Sequence, residues 1–423
     1  MTTFRVSPSR VHGSIRAPPS KSYTHRALVV GHLARRRFQV IRPLDADDTR
    51  LTARALSALG SRVRFSPHRW TVEPRAGRPA GSVTIQCGES GTTLRFVAAL
   101  AALGERRVRL EGRGRLPHRP IAELFEALER LGATVDRRSA TDGLPATIAG
   151  PLEGGVVRLD ASQSSQFVSA LLLSLPTVSG DSELRLEGPI VSEPYIEATL
   201  AVLRRSKVRL RRTGRTFAIP GRQTYRGDRF VVPGDASSSA YLWAAAALTR
   251  GRVRVGGVPR DLPQADLASL EMLRSAGALV RMTRDGATVV GRALRGFSID
   301  LTAAPDLYPL AGVLAAAARS PSKLSGASHV VHKESDRRAG TVLIARALGA
   351  TVRPTRTGLS IRGRSPPTRF RLRGLDDHRL VMSAAVGALG ADGPSTIADA
   401  SVVAKSFPGF WDALRAIARE GPK

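Results

Sequence analysis

Several short stretches gather groups able to hold and activate an anion. Pro18-Pro19-Ser20-Lys21-Ser22-Tyr23-Thr24-His25-Arg26 places a hydroxyl, an ammonium and a guanidinium around one helix start, a set suited to phosphate and carboxylate. Cys87-Gly88-Glu89-Ser90-Gly91-Thr92-Thr93-Leu94-Arg95 is a small-residue turn running into a helix, where backbone N–H groups approach an anion closely. No Lys-Ser/Thr follows the turn, so it is not a nucleotide P-loop. His118-Arg119-Pro120-Ile121 sets an arginine just before a helix with proline at its first position. Lys333-Glu334-Ser335-Asp336-Arg337, Asp376-Asp377-His378-Arg379 and Ala404-Lys405-Ser406-Phe407-Pro408 add bases and acids at three further helix starts. Singly, each is an ordinary N-cap or a solvated charge cluster. Asp45-Ala46-Asp47-Asp48 is read as a helix cap with a structural salt bridge rather than a metal site.

The elements that must carry these groups repeat about every 72 residues. Amphipathic helices are expected over Leu51–Leu59, Ile121–Leu131, Glu197–Arg205, Leu267–Ala276, Thr341–Leu348 and Phe410–Glu420. They close at Gly60, Gly132, Ser206, Gly277, Gly349 and Gly421, and Val63, Val135, Val208, Val280 and Val352 open the strands that follow. No strand follows the sixth helix, and Phe4-Arg5-Val6 is available to complete that unit, which makes one domain discontinuous. A second series, apolar after a polar start, begins at Lys21, Gly91, Ser164, Ser237, Asp306 and His378. Helix N-termini carry free N–H groups and partial positive charge, so several that converge make an anion site. The Ser237–Ser239 copy lacks a nearby charged group and is read as structural.

Composition sets the class. The 423 residues exceed one ordinary domain, and 42% hydrophobic content is globular. The single cysteine, Cys87, excludes an intrachain disulfide and a Cys-cluster metal site. No apolar run has the ~18–20 residues of a membrane span, and Met-Thr-Thr-Phe-Arg-Val lacks signal-peptide layout, so a cytoplasmic protein with no membrane partner is expected. The net charge of +30 invites nucleic acid. Basic residues are spread along the whole chain, aromatics are 5%, and acids accompany the bases at Asp306, Glu334 and Asp336, so no specific nucleic-acid partner is expected. Only six of the 65 basic residues are lysines, which singles out Lys21, Lys333 and Lys405 as positions needing an ammonium and leaves Lys207 and Lys323 unexplained.

Taken in order from residue 18 to residue 408, these stretches, with Ser164-Ser165-Gln166 and Ser192-Glu193-Pro194-Tyr195, resemble the 5-enolpyruvylshikimate-3-phosphate synthases. The resemblance implies a two-domain inside-out α/β barrel of six βαβαββ units, three per domain, whose cleft closes on substrate. The expected domains are residues 15–233, with the main shikimate 3-phosphate contacts, and residues 1–14 with 234–423. It implies transfer of the enolpyruvyl group of phosphoenolpyruvate to the 5-hydroxyl of shikimate 3-phosphate, in a monomer without cofactor or metal. By position, Lys21, Ser22, Arg26, Ser164, Ser165, Gln166, Ser192, Asp306 and Lys333 would hold shikimate 3-phosphate. Lys21, Gly91, Arg119, Gln166, Arg337, Arg379 and Lys405 would hold phosphoenolpyruvate. Asp306 is the expected base for the hydroxyl, and Glu334, with Lys21 as the alternative, the proton donor at C3. Glu89 and His329 stand where asparagine is common, and Phe96 where proline is. The sister family acting on UDP-N-acetylglucosamine usually carries a cysteine before the Arg-Pro helix; Gly112–His118 has none.

Overall fold

The computed structural model describes residues 3–75, 81–137 and 143–418. Two compact units result: Pro19–Val232, and Met1–Pro18 with Pro233–Lys423. The strand His12–Arg16 pairs whole with Arg252–Gly256, so the division falls after Pro18 rather than at residue 15.

Each unit has three inner helices. Those of residues 19–232 are α1 (Lys21–Leu33), α3 (Gly91–Ala101) and α5 (Ser165–Ser174); those of the other unit are α7 (Ala236–Leu248), α9 (Tyr308–Ala317) and α11 (His378–Leu389). Ala, Leu and Val on all sides leave these helices no solvent face, and the three in each unit pack on one another. The outer helices α2 (Asp47–Ala58), α4 (Ala122–Arg130), α6 (Glu193–Arg205), α8 (Ala268–Ser275), α10 (Arg337–Ala347) and α12 (Phe410–Ile417) each bury one stripe and keep charge on the other. Among the described residues six small sheets surround the helices, three per unit.

One complete repeat shows the logic. Val83–Gln86 lies parallel to Val108–Glu111 with α3 between them, and after α4 the hairpin Thr134–Arg137/Ala146–Ala149 adds antiparallel to the sheet. Phe4–Val6 pairs antiparallel with Ser395–Ile397, which lies parallel to Arg371–Leu372, so the N-terminal strand fills the return position of the sixth sheet. Helices thus lie inside and sheets outside in each unit.

The third repeat differs from its sequence pattern. Ser206 is an ordinary cap residue, and the left-handed position held by glycine after α2, α4, α8 and α10 falls on Lys207, at φ 60°. Val208 does not open a strand; pairing starts only at Arg211. Gln223 intervenes: its Oε1 accepts from Arg209 N at 2.7 Å and its Nε2 donates to Arg209 O at 2.8 Å, replacing a neighbouring strand. Gly421 lies outside the described residues.

Candidate active site

In the unit of residues 19–232, three inner helices begin with free N–H groups at Lys21, Gly91 and Ser165. Ser90 and Ser164 cap the last two, accepting from Thr93 N at 3.3 Å and Gln166 N at 3.2 Å. Lys21 Nζ reaches Asp48 Oδ2 at 3.1 Å. Asp48 stands in the first turn of α2, whose cap is Ala46 with Thr49 closing back on it, while Asp45 pairs with Arg50 in solvent. Beneath Lys21 a buried chain runs from His25 Nδ1 to Thr52 Oγ1 (2.8 Å), to Thr93 Oγ1 (2.8 Å) and to Ser90 Oγ (2.8 Å). Burial, with the Lys21 and Arg26 cations nearby, holds the His25 pKa well below the ordinary range, so the ring is neutral.

Gly91 is the tightest point. A Cβ there would lie 2.6 Å from Arg95 Nη1 and 2.9 Å from Arg119 Cζ, so two guanidinium groups flank the first residue of α3. Arg95 is fixed by Gln166 Oε1 (2.8 Å) and Pro120 O (2.6 Å), and Gln166 Nε2 donates to Thr92 Oγ1 at 3.1 Å. Pro120 is not inside α4, which starts at Ala122; its carbonyl instead holds Arg95. Arg119 is 6% exposed.

Arg26 is largely a strut. Its Nε donates to Thr199 Oγ1 (2.8 Å), Nη1 to Ser22 O (3.0 Å), and Nη2 to Ser169 Oγ (3.3 Å) and Tyr195 O (2.8 Å), which leaves one Nη1 hydrogen. Burial pushes its pKa down to about 10, so the cation persists at neutral pH. The Tyr195 contact anchors the segment that presents Ser192, a buried serine held left-handed at φ 55° at the cap of α6. Ser22 and Gln166 are half-buried, and Ser165 is buried.

In the other unit the acids and bases form one knot. Arg337, 1% exposed, donates from Nε to Asp377 Oδ2 (2.7 Å), from Nη1 to Asp306 Oδ1 (2.6 Å) and from Nη2 to Glu334 Oε2 (2.6 Å). Arg379 Nη2 holds the other oxygen of Asp306 at 2.6 Å. Asp377 caps α11 by accepting from Arg379 N at 2.8 Å, so one carboxylate serves both the helix start and the Arg337 guanidinium. Asp336 is no site acid: it caps α10, accepting from Ala339 N at 2.9 Å. Burial would raise the Asp306 pKa, but Arg379, Arg337 and Lys333 hold it below the usual carboxylate range. Burial would lower that of Arg337, but Asp377, Glu334 and Asp306 hold it above the ordinary value. Lys333 follows the turn Ser328–His332, and Lys405 ends the turn Ala400–Lys405, which packs on α11. His329 is buried without a hydrogen-bond partner among the described residues, and burial, helped by Lys333, lowers its pKa to about 4.

The sequence pattern passed over five contributors. Arg95 stands one turn after Gly91, a spacing that places both on one helix face. Asp48 and Asp377 looked like caps, and their tertiary partners carry no sequence signal. Asp235 caps α7 and Asp266 accepts from Ser237 Oγ, so the Ser237 copy does have charged groups beside it.

The pattern of the family EPSP synthase (3-phosphoshikimate 1-carboxyvinyltransferase) matches residues 6–414. The chain is 38% identical over 408 residues to the 3-phosphoshikimate 1-carboxyvinyltransferase of Methanocorpusculum labreanum, covering 96% of each. It is 41% identical over 406 residues to that of Methanosphaerula palustris, covering 95% of each. Its fold matches the EPSP synthase structure from Acinetobacter baumannii with TM-score 0.82 at 24% identity, over 99% of both chains.

Proposed function

Because the chain belongs to the EPSP synthase family and transfers an enolpyruvyl group in the shikimate pathway, we propose that the helix starts and the arginine–carboxylate knot described above are its working parts. The reaction takes the enolpyruvyl group of phosphoenolpyruvate to the 5-hydroxyl of shikimate 3-phosphate and releases phosphate. The observation that supports the assignment is Gly91 lying against the guanidinium groups of Arg95 and Arg119, which brings a helix start and positive charge together at one point.

In this reading the repeats of residues 19–232 carry the main shikimate 3-phosphate contacts: Lys21, Ser22, Arg26 through its remaining Nη1 hydrogen, Ser164, Ser165, Gln166 and Ser192. Asp306 and Lys333 of the other unit complete the set. Phosphoenolpyruvate falls to Lys21, Gly91, Arg119, Gln166, Arg337, Arg379 and Lys405. Arg337 must exchange part of its three-carboxylate set for the ligand.

The knot also gives Asp306 a mechanism. A carboxylate bonded to two guanidinium groups is a weak base. When an anionic ligand takes up hydrogen bonds from Arg337 and Arg379, Asp306 loses what holds its proton affinity down, and it then accepts the proton of the 5-hydroxyl as oxygen attacks C2. Glu334, with Lys21 as the alternative, exchanges the proton at C3: it gives one as oxygen attacks C2, and takes one back from C3 as phosphate leaves the tetrahedral adduct and the double bond re-forms. The cations stabilise the charge that moves to the departing phosphate. Near-normal turnover in Asp306→Ala or Glu334→Ala would remove these roles.

No helix among the described residues is long and apolar enough to cross a membrane. We place the protein in the cytoplasm as a monomer, without a specific nucleic-acid partner, and sedimentation of the purified chain tests its state. The deciding assay is phosphate release from phosphoenolpyruvate with and without shikimate 3-phosphate, no metal or nucleotide added. Release that requires shikimate 3-phosphate supports the assignment; its absence from folded protein refutes it.

A further inference from the structure

His25, Thr52, Ser90 and Thr93 have no part in the reaction above, yet they form one hydrogen-bonded chain across three helices, and none is more than 1% exposed. His25 follows Lys21 by four residues on α1, and Thr52 follows Asp48 by four on α2, so each stands one turn behind a site side chain on the same helix face. Thr93 lies in the first turn of α3, two residues after Gly91, and Ser90 is the cap of that helix. The hydrogens of the chain can be placed. Thr93 has one hydroxyl hydrogen, which serves Ser90 Oγ at 2.8 Å and Asp48 O at 3.2 Å, so toward Thr52 it can only accept. Thr52 then donates to Thr93 and accepts from His25 Nδ1, each at 2.8 Å. The neutral ring therefore carries its hydrogen on Nδ1, and the chain runs in one direction, from α1 through α2 to the start of α3.

Asp48 joins this chain to the site: its main-chain oxygen lies against the Thr93 hydroxyl, and its carboxylate accepts from Lys21 Nζ at 3.1 Å. Polar groups in a dry core cost stability unless they are bonded, so a run of them marks a fixed geometry rather than packing. On the reading that Lys21 and Gly91 hold phosphoenolpyruvate, we propose that Thr93 is a positioning residue that fixes the Lys21–Asp48 pair against the helix start at Gly91, with Thr52 and His25 holding its hydroxyl in place. One hydroxyl thus sets the spacing between the ammonium and the first N–H groups of α3, the two features that an incoming anion must meet together.

The test separates the hydroxyl of Thr93 from its methyl group. Thr93→Val keeps the shape and removes the hydroxyl, whereas Thr93→Ser keeps the hydroxyl and leaves a methyl-sized gap. KM for each substrate is read by shikimate 3-phosphate-dependent phosphate release, with folding checked by urea unfolding. The expected result is a KM for phosphoenolpyruvate raised about tenfold in Thr93→Val and by less than about threefold in Thr93→Ser, the scale of one charge-assisted hydrogen bond held out of place. KM for shikimate 3-phosphate, most of whose contacts lie at the starts of α5 and α6, should move less than about threefold in both. A side chain that only packs gives the opposite order, so Thr93→Val near wild type, or Thr93→Ser no better than Thr93→Val, overturns the proposal. An equal rise in both KM values does the same. Should Thr93→Val fail to fold, Thr52→Val cuts the chain one link earlier and must raise KM for phosphoenolpyruvate by a like factor; an unchanged value there is refutation. Wild type without shikimate 3-phosphate-dependent release would refute the enzymatic reading itself, a separate and recognisable failure.

Discussion

Replacing Gly91 by alanine adds one methyl group at the start of α3, where the backbone is helical and accepts it. Its Cβ would stand 2.6 Å from Arg95 Nη1, 2.9 Å from Arg119 Nη1 and 2.9 Å from Arg119 Cζ. Carbon needs about 3.5 Å from such atoms, so the guanidinium groups must withdraw by roughly 0.6–0.9 Å. They are not loose ends. Arg95 is 3% exposed and bonded to Gln166 at 2.8 Å and Pro120 at 2.6 Å, and Arg119 is 6% exposed. The methyl also covers the first backbone N–H groups of α3. Losing one charge-assisted hydrogen bond to the anion costs about 1.5–3 kcal/mol, which is roughly ten- to hundredfold in KM for phosphoenolpyruvate. KM for shikimate 3-phosphate should move less than about threefold, and stability by under about 1 kcal/mol, because helix propensity favours alanine. The assay is steady-state phosphate release with each substrate varied at saturating levels of the other, beside urea unfolding. A folded Gly91→Ala protein with KM for phosphoenolpyruvate within twofold of wild type would show that the anion does not bind at this helix start.

Three further outcomes follow from the structure. Asp377→Asn keeps a cap for α11 but removes the Nε partner of buried Arg337, and urea unfolding should show a loss of about 3 kcal/mol together with a raised KM for phosphoenolpyruvate. The His329 pKa is lowered in the folded state to about 4, so the unfolded chain binds the extra proton between about pH 4 and pH 6.5; stability should fall as pH drops through that window. His329→Asn should therefore flatten the stability–pH curve there by up to about 1.4 kcal/mol per pH unit, and an unchanged slope would contradict the burial argument. Lys207→Gly relieves a left-handed residue at φ 60° and should raise stability by about 0.5 kcal/mol, read as a small increase in the urea midpoint.

The periodic features were legible because they are local. A glycine after an amphipathic helix announces a left-handed turn wherever the chain needs one, and four such glycines with their following valines mark the repeat. The third repeat misleads for a physical reason: Lys207 tolerates the left-handed turn and Gln223 supplies strand-like hydrogen bonds through its side chain, so neither glycine nor immediate pairing is required. The strand Phe4–Val6 was legible through a vacancy in the pattern and fills it beside Ser395–Ile397.

Pairing among the charged groups was not legible, and that limits what a motif says about charge. Lys333-Glu334-Ser335-Asp336-Arg337 offers two acids near one arginine, yet Asp336 closes a helix while Asp377, forty residues away in sequence, takes the Nε of Arg337. A guanidinium has five N–H donors, and three carboxylates have already claimed most of those of Arg337. Its positive charge is therefore largely neutralised before any ligand arrives. On the proposed reading, an anion that reaches Arg337 must exchange part of this carboxylate set for its own hydrogen bonds, and Asp306, shared with Arg379, is one of the partners it displaces. Asp306, bonded to both arginines, would then gain proton affinity as an anion takes up those hydrogen bonds. Arginine count alone would have read Arg337 as an open anion ligand; its buried carboxylate partners make binding there an exchange.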